Sequence, residues 1–289
     1  MMNPKLSVVI PAYNEEASIA GVVQGLLAST KTPAEIIAVD DASTDQTAKL
    51  LAPWAEAGKI RLVRHSKNRG YGACLKSGIH AALGEWIAIL DGDGTYPTDR
   101  LDEFLALADH AEMVVGARSG EVVVEPRLRG WVKGLIRFLL RWLARIEVPD
   151  LNSGLRLFRK STAQKYLHLL PDGLSFTATI TLVLLSEGYP LEFPPINYFP
   201  RRGSKSKFHP VSDTSNLLVL LLRTLLYFNP LKVFVPLSLF MVALALAVAF
   251  FSIFVLGKFM DVTTVVILVA AVQIFILGLL ADLITKLKR

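Results

Sequence analysis

Short hydrophobic runs alternate with amphipathic stretches over roughly the first 120 residues of the chain. Strands are predicted for five hydrophobic runs, which are Leu6–Ile10, Glu35–Val39, Ile60–Val63, Trp86–Leu90 and Met113–Gly116. Helices are predicted between them, over about 16–28, 46–57, 71–83 and 99–109. Because strands that alternate with helices favour right-handed βαβ units, the pattern predicts an α/β domain with a mostly parallel sheet. Further along, Ser175–Gly188 is predicted as a helix and Leu191–Tyr198 as one late strand.

Two long uncharged runs lie near the C-terminus, Val233–Gly257 and Val262–Ala281. Each is long enough to cross about 30 Å of hydrocarbon as a helix, a buried core helix being the alternative. Only a few residues separate them, which predicts a tight two-helix transmembrane hairpin. Basic residues precede the first run and follow the second, so the positive-inside rule places both ends of the chain in the cytoplasm.

Two further stretches are predicted to lie in a membrane interface. In 127–146, basic residues recur every fourth position, at Lys133, Arg137, Arg141 and Arg145, on an otherwise apolar helix. That profile suits an interfacial amphipathic helix, with a core-packed helix as the alternative. The leucine-rich segment before the first uncharged run is interrupted by Arg223 and is too short to span. The predicted organisation is therefore a domain over 1–212, an interfacial helix over 213–230 and the hairpin over 231–289.

The composition indicates which kinds of partner and which cellular location suit the chain. The hydrophobic fraction of 52% is high for a soluble protein, and the formal charge of +6 suits anionic ligands or an anionic membrane surface. Cys74 is the only cysteine, so the chain has no intrachain disulfide, which fits a cytosolic face. We predict an integral protein of the cell membrane that has no nucleic acid partner, and assembly into a homo-oligomer is left open.

Polar clusters follow three of the predicted strands, at Tyr13–Glu15, Asp40–Asp41 and Asp91–Asp93. In a parallel sheet, ligands bind beyond the carboxyl ends of the strands, where these clusters converge. Paired carboxylates there suit a hard divalent cation that bridges phosphates, although solvated loop acids are the alternative for each cluster. No glycine-rich dinucleotide fingerprint follows the first strand and no P-loop motif occurs, so those two modes of nucleotide binding are excluded.

Four motifs together resemble one known family. Pro11–Glu15, Asp40–Asp45, Asn68–Gly70 and Asp91–Asp93 are similar, in order and spacing, to family 2 glycosyltransferases with the GT-A fold. The resemblance covers roughly residues 5–210 and is strongest to the polyprenyl-phosphate glycosyltransferases, the subgroup of dolichyl-phosphate mannose synthase. It implies a Rossmann-like nucleotide-sugar-binding domain.

The resemblance assigns donor-side roles to several positions. The nucleotide site is implied at Pro11, Tyr13, Glu15, Val39, Asp41, Asp91 and Gly92. Asp91 and Asp93 would hold Mg²⁺ or Mn²⁺ against the donor diphosphate. Thr95 stands where the mannose synthases often have a glutamine at the metal, which leaves the third ligand and the sugar open. Arg118, in a G-x-R motif, would lie near the donor phosphates.

Acceptor-side roles fall on two basic segments. Arg129 and Lys133 are candidates for binding the phosphate of a lipid acceptor. Residues 201–208 resemble the family's acceptor loop, in which Arg201, Arg202, Ser206 and Lys207 would clamp that phosphate by charge-assisted hydrogen bonds. The alternative is a basic cluster that only attracts anionic lipid. In 150–160, Ser153 and Gly154 would shape the sugar pocket and Asp150 would orient groups there, a plain turn being the alternative.

The implied reaction is an inverting transfer of mannose or glucose, from GDP-mannose or UDP-glucose, to a membrane polyprenyl phosphate. Asp93, Arg118, Arg201 and Lys207 are the predicted catalytic residues. Because a polyprenyl phosphate is already anionic, it needs orientation and not deprotonation, and we expect no histidine in the clusters. Two alternatives remain: a processive polysaccharide synthase, whose Q-x-x-R-W motif 138–142 matches except for Phe138, and a non-catalytic nucleotide-sugar-binding protein.

Overall fold

The computed structural model describes residues 5–119, 148–201, 219, 226–227, 229–255, 257 and 262–287. The chain divides into two compact units, Met1–Leu217 and Leu218–Arg289. The predicted interfacial helix over 127–146 and most of the one over 213–230 lie outside the described residues. So do five predicted acceptor residues, namely Arg129, Lys133, Arg202, Ser206 and Lys207.

The first unit is built from short strands and helices. Its described strands are β1 Leu6–Ala12, β2 Ala34–Asp40, β3 Arg61–Arg64, β4 Trp86–Ile89, β5 Met113–Val115, β6 Ala117–Ser119, β7 Arg156–Arg159, β8 Leu191–Glu192 and β9 Pro195–Asn197. Its described α-helices are α1 Ile19–Ser29, α2 Thr47–Glu56, α3 Tyr71–Ala81, α4 Leu101–Leu107, α5 Lys160–Tyr166 and α6 Phe176–Ser186. The predicted alternation of strand and helix up to β5 is confirmed.

Among the described residues, seven strands form one mixed sheet in the order β3-β2-β1-β4-β7-β5-β8. The pairs β1–β2, β1–β4, β2–β3 and β5–β8 are parallel, whereas β7 runs antiparallel to both β4 and β5. The mostly parallel sheet expected from the sequence is therefore confirmed, with one reversed strand inserted between β4 and β5. A second, two-stranded sheet pairs β6 with β9.

This topology brings one set of loops to one edge of the sheet. The carboxyl ends of β1, β2, β4 and β5 point the same way, and each is followed by polar residues. Because β7 is reversed, the loop that precedes it, 150–155, arrives at the same edge. The three acidic clusters and the serine-glycine segment thus meet where the sequence predicts a ligand site.

The core lies between the sheet and its helices. Strand β1 is buried along its whole length, as expected for a central strand covered on both faces. Helix α1 buries Ile19, Val22, Val23 and Leu26, the i, i+3, i+4, i+7 spacing of one helix face. Burying such a side chain contributes roughly 1.5–3 kcal/mol, so the sheet edge rests on a rigid base.

The predicted single strand over Leu191–Tyr198 is wrong. The segment forms two short strands that belong to different sheets, β8 beside β5 and β9 beside β6. Phe193 and Pro194 separate them, and Pro195 is the first residue of β9. Because proline cannot donate a ladder hydrogen bond, one continuous strand would lose its pairing at this point.

The second unit contains two long apolar helices, α7 Pro230–Phe254 and α8 Val262–Leu287. Both are long and apolar enough to cross a membrane, and most of their large side chains are exposed. Small residues form the buried seam between them, at seven-residue intervals: Ser238, Ala245 and Ser252 on α7, and Thr264, Ala271 and Gly278 on α8. The Ser238 hydroxyl donates to the Ala271 carbonyl over 2.9 Å. Small residues let helix backbones approach closely where lipid surrounds them, as in a membrane hairpin.

Candidate active site

The loops that follow β1 and β2 interlock at the sheet edge. The Asn14 amide N–H donates to the Ser43 hydroxyl (3.0 Å), and the Thr44 N–H donates back to the Asn14 side-chain oxygen (2.8 Å). The Glu15 N–H donates to the Thr47 hydroxyl over 2.8 Å. Asn14 adopts a left-handed conformation (φ 57°), which asparagine tolerates better than most residues. These contacts fix the backbone around the predicted nucleotide residues Pro11, Tyr13 and Val39, of which Pro11 and Val39 are buried.

The acid pair after β4 is held by hydroxyl donors. Asp93 Oδ1 accepts from the Thr95 hydroxyl (2.7 Å) and from the Thr95 N–H (3.1 Å). Asp91 Oδ1 accepts from the Tyr71 hydroxyl at the start of α3 (2.8 Å). Thr95, a predicted metal residue, therefore orients Asp93 in this structure, and both carboxylates are fixed before any ligand arrives.

The environment of Asp91 disfavours its charge. Removal from solvent, followed by the neighbouring Asp93 carboxylate, raises the pKa of Asp91 to about 7. The Tyr71 hydrogen bond and the more distant Arg156 and Arg201 oppose this rise. Two carboxylates crowded into one partly buried place form a site with a strong preference for a cation.

Arg201 approaches this acid pair from the other end of the chain. Its Nη2 pairs with Glu15 Oε1, and its Nε lies 3.5 Å from Asp93 Oδ2. The guanidinium is one-quarter exposed, while the side chains of Glu15 and Asp93 are only 10% and 13% exposed. The first residue of the predicted acceptor loop therefore contacts both the predicted nucleotide site and the predicted metal site.

Arg118 and Asp150 form a second ion pair near the acids. Arg118 Nε and Nη2 donate to the two Asp150 oxygens over 2.6 and 2.9 Å, and the guanidinium lies 5.4 Å from the centre of the Tyr198 ring. Burial would lower the pKa of Arg118, but the contact with Asp150 outweighs it, and the net pKa is raised. Arg118 is thus a permanent cation, positioned by Asp150.

Arg156 is a buried arginine without a hydrogen bond to a carboxylate among the described residues. Its guanidinium donates to the carbonyls of Leu151, Ser153 and Thr177 and to the Thr181 hydroxyl, at 2.7 to 3.3 Å. Its side chain is fully buried, and burial lowers its pKa. Because the Leu151 and Ser153 carbonyls belong to the loop before β7 and the Thr177 carbonyl belongs to α6, Arg156 ties the loop that packs against Asp91 to that helix.

Gly154 lies directly against the acid pair. A Cβ atom placed at this position would lie 1.9 Å from Asp91 Oδ2, and the Gly154 N–H donates to the Tyr96 hydroxyl over 2.7 Å. The loop before β7 therefore shapes the surroundings of Asp91, and whether it is a sugar pocket or a plain turn stays open. The proposed contact of Ser153 with a sugar stays a prediction.

Asp41 is almost completely buried, and protein groups surround its carboxylate. Oδ1 accepts from His65 Nδ1 (2.7 Å) and the Arg69 N–H (2.9 Å), and Oδ2 accepts from the Gly70 N–H (2.8 Å). The expectation that no histidine joins the acidic clusters is wrong, because β2 and β3 are parallel neighbours and their following residues share one edge. Burial opposes the Asp41 charge, yet these hydrogen bonds outweigh it and lower the pKa.

Sequence patterns alone missed three residues of this region. The sequence patterns predict no role for His65, Tyr71 or Arg156, although each contacts a predicted site residue or its loop. The signal available was positional, because each stands within or next to a motif at the functional edge. Distances between these motifs are not readable from the chain.

Comparisons with known proteins identify related sequences for both units. A model of Glycosyl transferase family 2 matches residues 7–167, and a model of the GtrB C-terminal hairpin matches residues 229–287. The dolichyl-phosphate beta-glucosyltransferase of Dictyostelium discoideum is 25% identical over 70% of this chain and 69% of its own. The undecaprenyl-phosphate 4-deoxy-4-formamido-L-arabinose transferase of Yersinia enterocolitica is 28% identical over 57% of this chain and 51% of its own.

The fold also matches solved structures. Glucosyl-3-phosphoglycerate synthase from Mycobacterium tuberculosis, in complex with Mn²⁺, uridine diphosphate and glucosyl-3-phosphoglycerate, has a TM-score of 0.57 and 20% identity over 77% of this chain and 79% of that one. That likeness establishes the fold. The chain spans 34% to 69% of the length of the first curated relatives that it matches.

Proposed function

The chain belongs to glycosyl transferase family 2, and from that premise we propose that it transfers a hexose from a nucleotide sugar to a membrane polyprenyl phosphate, with inversion at the anomeric carbon. One observation carries the proposal. Arg201, which opens the predicted acceptor loop, contacts Glu15 of the nucleotide motif and approaches Asp93 of the acid pair. This contact between the predicted donor motifs and the first residue of the predicted acceptor loop, distant in sequence, supports the proposal.

The acid pair fits a divalent metal by the chemistry of its donors. Asp91 and Asp93 would hold Mg²⁺ or Mn²⁺, ions that prefer oxygen ligands. In this structure the positive charge beside Asp93 comes from Arg201. When bound, the ion would act as a Lewis acid on the leaving diphosphate. Tyr71 and Thr95 keep the two carboxylates oriented by hydrogen bonds.

Besides the metal, fixed positive charges would orient the donor and acceptor phosphates. Arg118, held by Asp150, would face the donor phosphates, and Arg201, with Arg202 and Lys207, would bind the acceptor phosphate. Because that phosphate is already an anion, the reaction needs no general base to activate it. Preorganised cations of this kind stabilise charge that develops in a transition state without reorganising at the moment of reaction.

The relatives and the hairpin support the choice of a lipid acceptor. Two of the related proteins are named for transfer to dolichyl phosphate or undecaprenyl phosphate. The two apolar helices and the hairpin match indicate a membrane-anchored protein. We propose that the hairpin keeps the catalytic domain at the membrane that contains the acceptor, with the domain and both termini in the cytoplasm and the domain boundaries near residues 212 and 230.

A panel of donors tests the proposal. Purified full-length protein would be incubated with Mn²⁺, a polyprenyl phosphate and either GDP-mannose or UDP-glucose, and the lipid fraction would be read by mass spectrometry. We expect one lipid-linked hexose, lost when EDTA removes the metal. Asp93→Asn should abolish the product and leave the unfolding temperature nearly unchanged, whereas Asp109→Asn, at an exposed position after α4, serves as the control of equal charge change.

The outcomes separate the candidate functions. Absence of lipid product with every donor would contradict the proposal, and nucleotide binding without turnover would favour the non-catalytic alternative. Long glycan chains instead of single hexoses would favour a processive synthase.

A further inference from the structure

His65 is held between two partners in the interior of the first unit. Its Nδ1 lies 2.7 Å from Asp41 Oδ1 and its Nε2 lies 2.8 Å from the Ser77 hydroxyl on α3. The side chains of His65 and Asp41 are only 6% and 3% exposed. Such a chain of hydrogen bonds fixes the imidazole at both ends, so its ring has one orientation.

The same carboxylate also fixes the loop between β3 and α3. Asp41 accepts the backbone N–H groups of Arg69 and Gly70, the two residues that lead into α3. Gly70 has φ 98° and lies against the Asp172 carbonyl, so this turn requires glycine. Asp41 therefore joins the ends of β2 and β3 to the two residues that precede α3.

That helix begins with Tyr71, whose hydroxyl donates to Asp91 over 2.8 Å. A continuous path of contacts thus runs from the Ser77 hydroxyl through His65 and Asp41 to Gly70, and then through Tyr71 to the acid pair. Loosening His65 would release the start of α3, and with it the donor that orients Asp91.

One potential ligand atom each of Asp41, His65 and Cys74 lies within 4.8 Å of the others, but in this structure His65 and Asp41 bond each other directly. Two ligands of one tetrahedral zinc ion, each about 2.0–2.2 Å from the metal, would be separated by more than 3 Å. The 2.7 Å separation of His65 Nδ1 and Asp41 Oδ1 is that of a direct hydrogen bond. Burial, reinforced by Asp41, raises the pKa of the Cys74 thiol to about 12, so it stays protonated at neutral pH.

We infer that His65 is a positioning residue for donor binding: it holds Asp41 so that the 66–70 loop and Tyr71 present the nucleotide site and the acid pair in one geometry. This inference rests on the proposed function for the identity of the ligand. With hydrogen on Nδ1 the ring donates to the Asp41 carboxylate, and Nε2 shares the second hydrogen bond with the Ser77 hydroxyl. His65 acts through Asp41 and not by contact with a reacting atom.

Variants of His65 distinguish positioning from general packing. Asparagine carries an amide nitrogen at the same number of bonds from Cβ as Nδ1, so His65→Asn keeps the donor to Asp41. His65→Leu removes both hydrogen bonds and keeps an apolar volume. His80→Gln is the matched control, since His80 is exposed on α3, the helix that carries Ser77, and bonds only to the Lys76 carbonyl among the contacts described.

Two measurements on the full-length protein test the inference. Calorimetric titration with Mn²⁺ and UDP, and separately with Mn²⁺ and GDP, gives the nucleotide affinity, and hydrogen exchange of the ligand-free protein reports the Arg69 and Gly70 amides. Since a hydrogen bond to a charged group contributes about 1.5–3 kcal/mol, His65→Leu should weaken the preferred nucleotide about tenfold or more and speed exchange at both amides. His65→Asn and His80→Gln should stay within about twofold of the wild type in both measurements.

Unchanged nucleotide affinity or unchanged exchange in His65→Leu would overturn the inference. Equal weakening by His65→Asn would also overturn it, because the bond to Asp41 would then be irrelevant. If the wild-type protein bound neither nucleotide, the proposed function would fail, while the exchange rates at Arg69 and Gly70 would still decide whether His65 fixes the loop.

Discussion

Gly154 allows Asp91 to occupy its place beside the loop before β7, because any larger residue would collide with the carboxylate. In Gly154→Ala, the new methyl group would lie 1.9 Å from Asp91 Oδ2 and one of the two must move. We expect Mn²⁺ affinity, measured by electron paramagnetic resonance, to fall about tenfold or more, as for displaced groups around other metal sites. Gly173→Ala is the control, since a Cβ there meets no atom within 4 Å. Equal Mn²⁺ affinity in the two variants would argue against Asp91 as a ligand.

Arg201 is expected to have two opposing effects, one on metal binding and one on transfer. As a cation beside Asp93 it competes with a metal ion, yet as a phosphate ligand it is needed for transfer. In Arg201→Gln, Mn²⁺ affinity without nucleotide should rise roughly fivefold, about 1 kcal/mol of repulsion removed, while turnover falls. Arg100→Gln removes an equal charge from a residue that pairs with Glu103 and should change neither quantity. A parallel fall of both quantities in Arg201→Gln would show that Arg201 does not oppose the metal.

At the scale of single residues, the sequence predicts the acidic residues of the site better than the residues that orient them. Asp91 and Asp93 follow a strand in a recognisable motif, so their place at the sheet edge can be predicted. His65 and Tyr71 act through partners 24 and 20 residues away, and such distances depend on the order of strands in the sheet. Arg156 looks like a surface cation in the sequence, and only the reversed strand β7 shows that it is buried.

Strand β7 is the element that completes the site, and its buried arginine should stabilise it. Arg156→Lys keeps the charge but cannot reach all the carbonyl and hydroxyl acceptors that the planar guanidinium bonds. Leaving buried acceptors of this network without a donor costs about 1–3 kcal/mol, which lowers the unfolding temperature by about 2–12 °C. Arg159→Lys, at the partly exposed end of the same strand, should lower it far less. The unfolding temperature of each variant is measured by near-ultraviolet circular dichroism of the full-length protein in detergent. Equal unfolding temperatures in the two variants would contradict a stabilising role for Arg156.

The reversed strand also marks the limit of what hydrophobic patterns predict about elements. Alternation of strand and helix indicates parallel units up to β5, and the structure agrees. The direction of β7 and its place between β4 and β5 leave no trace in the pattern, since a buried run reads the same in either orientation. The prolines at 194 and 195 did offer a signal, and they explain why the last predicted strand is divided.

The seam between α7 and α8 predicts a specific register for the hairpin. Because Ser238 and Ala271 are both buried in the seam and the Ser238 hydroxyl lies 2.9 Å from the Ala271 carbonyl, we expect the double variant Ser238→Cys/Ala271→Cys to form a disulfide. Mild oxidation should form it within one chain, seen as a loss of two hydrogens and of alkylation by mass spectrometry. Phe240→Cys/Ala271→Cys is the control, because Phe240 is 60% exposed and lies off the seam. Equal oxidation of both pairs would contradict the described packing.

At the scale of the whole molecule, the two units divide the work that the proposal requires. The hydrophobic core and the described candidate site lie in Met1–Leu217, and the two apolar helices lie in Leu218–Arg289. The uncharged runs and the α/β alternation make this division readable from the sequence. The remaining acceptor-side residues lie outside the described residues, so their part in the site stays a prediction.

This division predicts that nucleotide binding and access to the lipid can be separated. A variant that lacks residues 229–287 keeps the described core, so it should bind Mn²⁺ and its nucleoside diphosphate with an affinity within about threefold of the full chain, a difference below about 1 kcal/mol. Transfer to a long polyprenyl phosphate in vesicles should fall at least about tenfold, because the enzyme is no longer confined to the surface where the acceptor lies. Transfer to a short, detergent-dispersed polyprenyl phosphate should largely persist, since that acceptor diffuses to the site. If transfer to the short acceptor is lost while the nucleotide still binds, the hairpin contributes to the acceptor site itself and does more than anchor the enzyme.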